Sequence, residues 1–134
     1  MTYSVLIVDD NLSLANLYQI VFERVGCTVQ RVASGPEALE NIAVAVPDVV
    51  LLDIMMPEMD GIEVCRRIRA QWAQKPPCIV IYTANNRPEM REMSLKAGAD
   101  VFYSKNMSVF ELPSRIITHL PLLDHEPEPP QETR

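Results

Sequence analysis

Val49-Val50-Leu51-Leu52-Asp53 is the stretch that decides the fold. Four consecutive apolar residues make a strand-length run with no polar face. That pattern belongs to a strand buried on both sides, as in a parallel sheet covered by helices. It is the most apolar of the strand-like runs, which places it at the centre of the sheet, and it stops on a carboxylate. Upstream, Ser34-Gly35-Pro36 opens a helix whose apolar face is Leu39, Ile42 and Val46, closed by Pro47. Downstream, Asp60 is an N-cap for a helix with Gly61, Cys65, Ile68 and Trp72 as its inner stripe.

The same alternation extends to both ends. Ser4-Val5-Leu6-Ile7-Val8 is a short, β-branched strand. After Asp9-Asp10-Asn11 the period changes, with Leu14, Tyr18, Val21 and Val25 on one helical stripe that ends at Gly26. Residues 28–32 form a second strand. Beyond the breaker Pro76-Pro77, residues 78–82 form a fourth strand and 88–97 a helix held only by Met90, Met93 and Ala97. Gly98 ends that helix, and Val101-Phe102-Tyr103 is a fifth strand. Ser108 and Glu111 form a capping box for a last helix with Leu112, Ile116 and Leu120 inward, its first turn made irregular by Pro113. Five strand–helix units in series predict an α/β architecture, a doubly wound parallel sheet with helices on both faces.

The 134 residues are 48% hydrophobic and 22% charged, which is enough for one continuous core of roughly 14 Å radius of gyration. A single domain over 1–120 is expected. Residues 121–134 turn Pro- and Glu-rich and read as a disordered tail or the beginning of a linker. A net charge of −6 argues against direct nucleic-acid binding and leaves room for a cation. No apolar run approaches membrane-spanning length. The N-terminus has no basic segment, and three cysteines without metal spacing suit a reducing cytoplasm.

In open parallel sheets, ligands bind beyond the carboxyl ends of the strands. Those ends carry Asp9-Asp10, Asp53, Thr83 and Ser104-Lys105, so three carboxylates, a hydroxyl and an ammonium are expected on one rim. Crowded carboxylates repel, and a hard divalent ion such as Mg²⁺ relieves the conflict while keeping waters that a phosphate can displace. Lys105 is placed to neutralise a phosphoryl oxygen and Thr83 to hydrogen-bond it. The set suits phosphoryl transfer to a carboxylate.

Over residues 3–120 the sequence resembles the receiver domain of two-component response regulators. Val5-Leu6-Ile7-Val8-Asp9-Asp10-Asn11 is similar to that family's acidic pair, and Leu52 through Gly61 to its phosphoacceptor segment. Thr83-Ala84, Lys96-Ala97-Gly98-Ala99-Asp100 and Lys105 are similar to its switch hydroxyl, the loop before strand five and its lysine. The resemblance implies a flavodoxin-like sheet of order 2-1-3-4-5. It makes Asp53 the phosphoacceptor, with Mg²⁺ held by Asp10, Asp53 and the main-chain carbonyl of Met55, and Asp9 acting through water. Lys105 would pair with the phosphoryl group, Thr83 would move to bond it, and Phe102 would be the switch aromatic. Met55 and Asn85 would flank the path of the hydrolytic water. Asn106 stands where the family usually has a proline after the lysine. The implied partner is a sensor histidine kinase or phosphotransfer protein, and the face of helix 4, strand 5 and helix 5 would bind effectors or a second copy. The chain would catalyse only its own phosphorylation and dephosphorylation.

Three other readings compete. The chain could be the N-terminal receiver part of a longer regulator. An aspartate-nucleophile phosphatase needs a second acid two residues after the nucleophile, where Met55 stands. A flavin carrier needs a Ser/Thr-rich phosphate loop after strand one, where this chain has Asp9-Asp10.

Overall fold

The computed structural model describes residues 2–120. The expected tail, 121–134, lies outside the described residues. Five strands, β1 (Ser4–Val8), β2 (Thr28–Val32), β3 (Val49–Leu52), β4 (Cys78–Thr83) and β5 (Val101–Ser104), form one parallel sheet of order β2-β1-β3-β4-β5. The helices are α1 (Leu12–Arg24), α2 (Gly35–Val44), α3 (Gly61–Gln71), α4 (Pro88–Lys96) and α5 (Leu112–Ile117). The doubly wound, flavodoxin-like architecture is as the sequence predicts. No helix among the described residues is long and apolar enough to cross a membrane.

Alternation along each strand divides the core into two layers. Leu6, Val8, Val50, Leu52, Ile79 and Ile81 face α2 and α3, packing on Ala38, Ile42, Cys65 and Ile68. Val5, Ile7, Val49, Leu51, Val80 and Tyr82 face α1 and α5, packing on Ala15, Tyr18, Phe22, Leu112 and Ile116. β3 is buried at all four positions, as a central strand must be.

Several expected details differ. α1 ends at Arg24 and buries Ala15, Tyr18, Val21 and Phe22, while Val25, its C-cap, is 55% exposed. α2 stops at Val44, leaving Val46 beyond the helix, because a residue preceding proline is pushed out of the helical region. Trp72 caps the end of α3 and packs only partly against the core. In α4 Met93 is exposed, and the buried residue is Ser94, whose hydroxyl donates to the Met90 carbonyl at 2.7 Å. The expected Ser108–Glu111 capping box is instead a local turn. Ser108 Oγ accepts from the Phe110 N–H at 3.2 Å and caps a 3₁₀ segment, Val109–Glu111, while the Glu111 carboxylate turns to Arg115. With Pro113 in the first turn of α5, the regular helix begins only at Leu112.

Gly61 is the most closely packed of the four glycines. A Cβ there would stand 2.2 Å from the Asp53 carbonyl oxygen and 2.9 Å from the Ile54 Cα, and its N–H donates to the Ile54 carbonyl at 2.9 Å. Helix α3 therefore begins pressed against the backbone that carries Asp53. The intervening turn also holds Glu58 at φ 68°, in the left-handed region.

Two outcomes follow from this packing. Gly61→Ala must displace the Asp53 backbone, so it should cost about 1–3 kcal/mol of stability in denaturant unfolding and shift the Asp53 amide resonance. Burial raises the Cys65 thiol to about 11 and Cys78 to about 12, whereas Cys27 is only half-buried and its thiol rises less. Iodoacetamide at about pH 8 should alkylate Cys27 first, and the other two only once the protein unfolds, as peptide mass mapping would show.

Candidate functional site

The site is assembled from strand ends that are still on the hydrogen-bonded ladder. The Asp9 N–H donates to the Val32 carbonyl at 3.2 Å, the Asp53 N–H to Val8 at 3.2 Å and the Lys105 N–H to Thr83 at 2.9 Å. The connection from β1 runs to β2 on one side, and β3 lies on the other, so a crevice opens beyond β1 and β3. Asp9 and Asp53 flank it. Capping of α1 is done by Asn11, whose side chain accepts from the Leu14 N–H at 3.0 Å, which leaves both preceding carboxylates for other contacts.

Lys105 joins the two buried carboxylates. Its ammonium lies 2.9 Å from Asp53 Oδ2 and 3.3 Å from Asp9 Oδ2. The remaining oxygens accept from the backbone, Asp9 Oδ1 from the Asn11 N–H at 2.9 Å and Asp53 Oδ1 from the Met55 N–H at 3.3 Å. Burial alone would lower the pKa of Lys105, but its hydrogen bond to Asp53 and the charges of Asp53 and Asp9 hold it above the ordinary lysine range. Asp9 moves the other way. Burial raises its carboxyl despite the Asn11 N–H and Lys105, and the neighbouring Asp53 charge adds to the rise. One ammonium therefore does not fully compensate two buried carboxylates.

Two tyrosines complete the surroundings of Lys105. The ammonium stands 5.8 Å from the Tyr18 ring centroid and 6.0 Å from that of Tyr82, and the two rings meet edge-to-face at 5.6 Å. The Tyr82 hydroxyl donates to the Met107 carbonyl at 2.7 Å. Burial raises both phenols against the pull of the Lys105 charge, so they are neutral, and Lys105 also hydrogen-bonds the Tyr18 hydroxyl. The sequence reading missed their contact with the lysine. Its only signal was tyrosine, in place of an aliphatic residue, at two inward positions.

The other singled-out residues are placed as follows. Asp10 is exposed and makes no hydrogen bond or ion pair among the described residues. Thr83 is fully buried at the end of β4, its hydroxyl accepting from the Asn85 N–H at 3.3 Å. The Asn85 side chain accepts from Arg87 at 3.4 Å. Met55 is 59% exposed. Phe102 is buried, with the Arg91 guanidinium 6.0 Å from its ring and donating to its carbonyl at 3.3 Å. Among the described residues the cis peptides are Lys75–Pro76 and Pro76–Pro77, so Lys105–Asn106 is trans.

The expected crowding of three carboxylates is reduced to a pair. Among the described residues no three acidic, histidine or cysteine side chains form a ready-made metal cluster. The donor chemistry nonetheless suits Mg²⁺, which takes one or two carboxylates and keeps its waters. Asp9 and Asp53 carry more negative charge than Lys105 balances, and Asp10 is an unengaged carboxylate next in sequence.

Comparisons with known proteins agree with the fold. The family model for the response regulator receiver domain matches residues 5–117. The chain is 36% identical over 116 residues to the alkaline phosphatase synthesis transcriptional regulatory protein PhoP of Bacillus subtilis, covering 87% of this chain and 48% of that protein. It is 37% identical to the response regulator MprA of Mycobacterium ulcerans, covering 87% of this chain and 49% of that one. The chain thus spans about half the length of these curated relatives. Among solved structures, the BeF3-activated N-terminal receiver domain of Klebsiella pneumoniae RstA superimposes with a TM-score of 0.80 at 32% identity, over 87% of this chain and 97% of that one. The Francisella response regulator 1452 receiver domain gives 0.80 at 31% identity, over 87% and 94%. With its family model, sheet order and relatives in agreement, this chain belongs to the response regulator receiver domain family.

Proposed function

We propose that this receiver domain accepts a phosphoryl group on Asp53 from a sensor histidine kinase or phosphotransfer protein, and that the modification changes its affinity for a partner. The observation that carries this reading is the Lys105 ammonium 2.9 Å from Asp53 Oδ2, at the sheet's switch point. In the transfer, an Asp53 carboxylate oxygen bonds to phosphorus as the bond from phosphorus to the donor's histidine nitrogen breaks, leaving an acyl phosphate. Little covalent assistance is required, and positioning and charge neutralisation dominate.

Asp10, Asp53 and the Met55 main-chain carbonyl would hold Mg²⁺, with Asp9 acting through water. When bound, the ion supplies positive charge to the carboxylates and to the phosphoryl oxygens. Lys105 holds the phosphoryl group from the opposite side. Thr83, fully buried, would leave its contact with the Asn85 N–H to bond the phosphoryl group, vacating space towards Phe102. The surface of α4, β5 and α5 would carry the signal to an effector or to a second copy of the chain. Its weakest anchor is α4, with Ser94 as its buried residue. Phe102 has no hydroxyl, so its part rests on packing.

Catalysis would be confined to this domain's own phosphorylation and dephosphorylation, without a separate substrate, and its place would be the cytoplasm. Residues 1–120 would form the receiver, with 121–134 as a tail or linker. PhoP of Bacillus subtilis is described as a transcriptional regulatory protein, and this chain would be the N-terminal receiver part of a comparable longer regulator.

Incubation with Mg²⁺ and acetyl phosphate should add one phosphoryl group by intact mass, and Asp53→Asn should abolish it. Equal labelling of that variant would sink the assignment. The phosphorylated form should also be long-lived. Met55 offers no group to orient an attacking water, and the Asn85 side chain is engaged by Arg87. Met55→Asn should accelerate loss of the label on the order of tenfold, the effect of one well-placed hydrogen bond on a barrier. Asn85→Ala should leave the half-life little changed, as followed by phosphate-affinity gel electrophoresis.

A further inference from the structure

We propose that Tyr18 and Tyr82 form an aromatic cage that positions the Lys105 ammonium against Asp53, an inference that rests on Asp53 being the phosphoacceptor. The ammonium has two carboxylate oxygens within 3.3 Å, the Tyr18 hydroxyl also hydrogen-bonds it, and the Tyr18 and Tyr82 ring centroids stand at 5.8 and 6.0 Å. Both rings are buried, at 4% exposure each, so little water competes for the cation from their direction. A cation within about 6 Å of a ring face is attracted to the ring quadrupole, and most strongly where both partners are desolvated. The edge-to-face contact between the rings at 5.6 Å, with 67° between their planes, fixes each against the other.

An aliphatic pair at these positions would fill the same volume without attracting charge. A lysine head group is a flexible point charge on a long stem, and two carboxylates alone do not determine where it settles. The two rings, with centroids 5.8 and 6.0 Å away, narrow that choice. Tyr82 adds a second restraint, because its hydroxyl donates at 2.7 Å to the carbonyl of Met107, two residues beyond Lys105. The ring facing the ammonium therefore also ties down the loop that carries it. Tyr18 comes from α1 and Tyr82 from β4, so the cage also couples Lys105 to two elements that hold no acid of the site. These are positioning residues, acting on phosphoryl capture through Lys105.

The test measures the initial rate of Asp53 labelling by acetyl phosphate with Mg²⁺, using the full chain. Tyr18→Leu should lower that rate about tenfold, and Tyr18→Phe, which restores the ring but not the hydroxyl that also bonds the ammonium, should be about threefold faster than Tyr18→Leu. In a Lys105→Ala background the same Tyr18→Leu change should have no further effect, since a positioning role acts only through the ammonium. If Tyr18→Leu does not fold, as judged by circular dichroism, Tyr82→Leu against Tyr82→Phe makes the same comparison. Equal rates for the leucine and phenylalanine variants overturn the cage, as does an undiminished Tyr18→Leu effect without Lys105, and both leave the Asp53 assignment standing. Labelling that survives Asp53→Asn overturns that assignment and the cage with it.

Discussion

A single ammonium between two buried carboxylates is the constraint on which the site depends. Asp9 and Asp53 are almost wholly withdrawn from solvent. An isolated charge at such depth is costly, and an unbalanced pair of like charges more so. Lys105 reaches both at once, from a different strand, and it can do so only if β1, β3 and β5 end at a common height. The balance is incomplete, since the Asp9 carboxyl still sits above its ordinary range. Under the proposed function, a site held in this state would attract additional positive charge, and Lys105 would give an incoming phosphoryl group a ready counter-charge. Stability and chemistry thus draw on the same residue.

Contacts at the opposite end of the sheet set that common height. Asp48 Oδ2 accepts from the Ser4 N–H at 2.8 Å and the Asp48 N–H donates to Ser4 Oγ at 2.9 Å, which locks the start of β3 to the start of β1. Arg69, with its side chain 10% exposed, binds Asp100 Oδ2 at 2.7 Å and the carbonyls of Pro77, Gly98 and Trp72. Asp100 Oδ2 also accepts from the Ile79 N–H at 2.8 Å, so one ion pair registers β4, β5 and the end of α3. Truncating either partner of so buried a pair leaves the other uncompensated. Gly98, at φ 113°, brings its α-carbon against the Arg69 stem, where a Cβ would lie 2.3 Å from Cγ.

Strands were more legible than helix faces. An apolar run bounded by polar residues has few alternative readings when both its faces are covered, and the strand starts at 4, 28, 49, 78 and 101 all hold. Helical stripes are wider, and which residues of a stripe are buried depends on the axis direction that the neighbouring strands impose. That is why Val25 and Met93 point outward while Ala15, Phe22 and Ser94 are enclosed. The 3₁₀ turn before α5 was obscured for a local reason. Ser108 and Glu111 match a capping box in spacing, but the serine hydroxyl is taken by the nearer Phe110 N–H.

By itself the sequence determined the alternation of elements, the sheet class, and the identities of Asp9, Asp53, Thr83 and Lys105 as strand-end polar groups, because period and polarity are local properties of the chain. Tertiary structure decided their relations. It withdrew Asp9 into a pair with Lys105 and left Asp10 in solvent, since successive side chains of an extended segment point to opposite sides. It pressed Gly61 onto the Asp53 backbone and brought Tyr18 and Tyr82 beside the ammonium. Tyr18 and Lys105 are far apart in the chain, and no local pattern couples them. Their contact exists because the register of β4 against β5 and the packing of α1 on the sheet bring both side chains to one point.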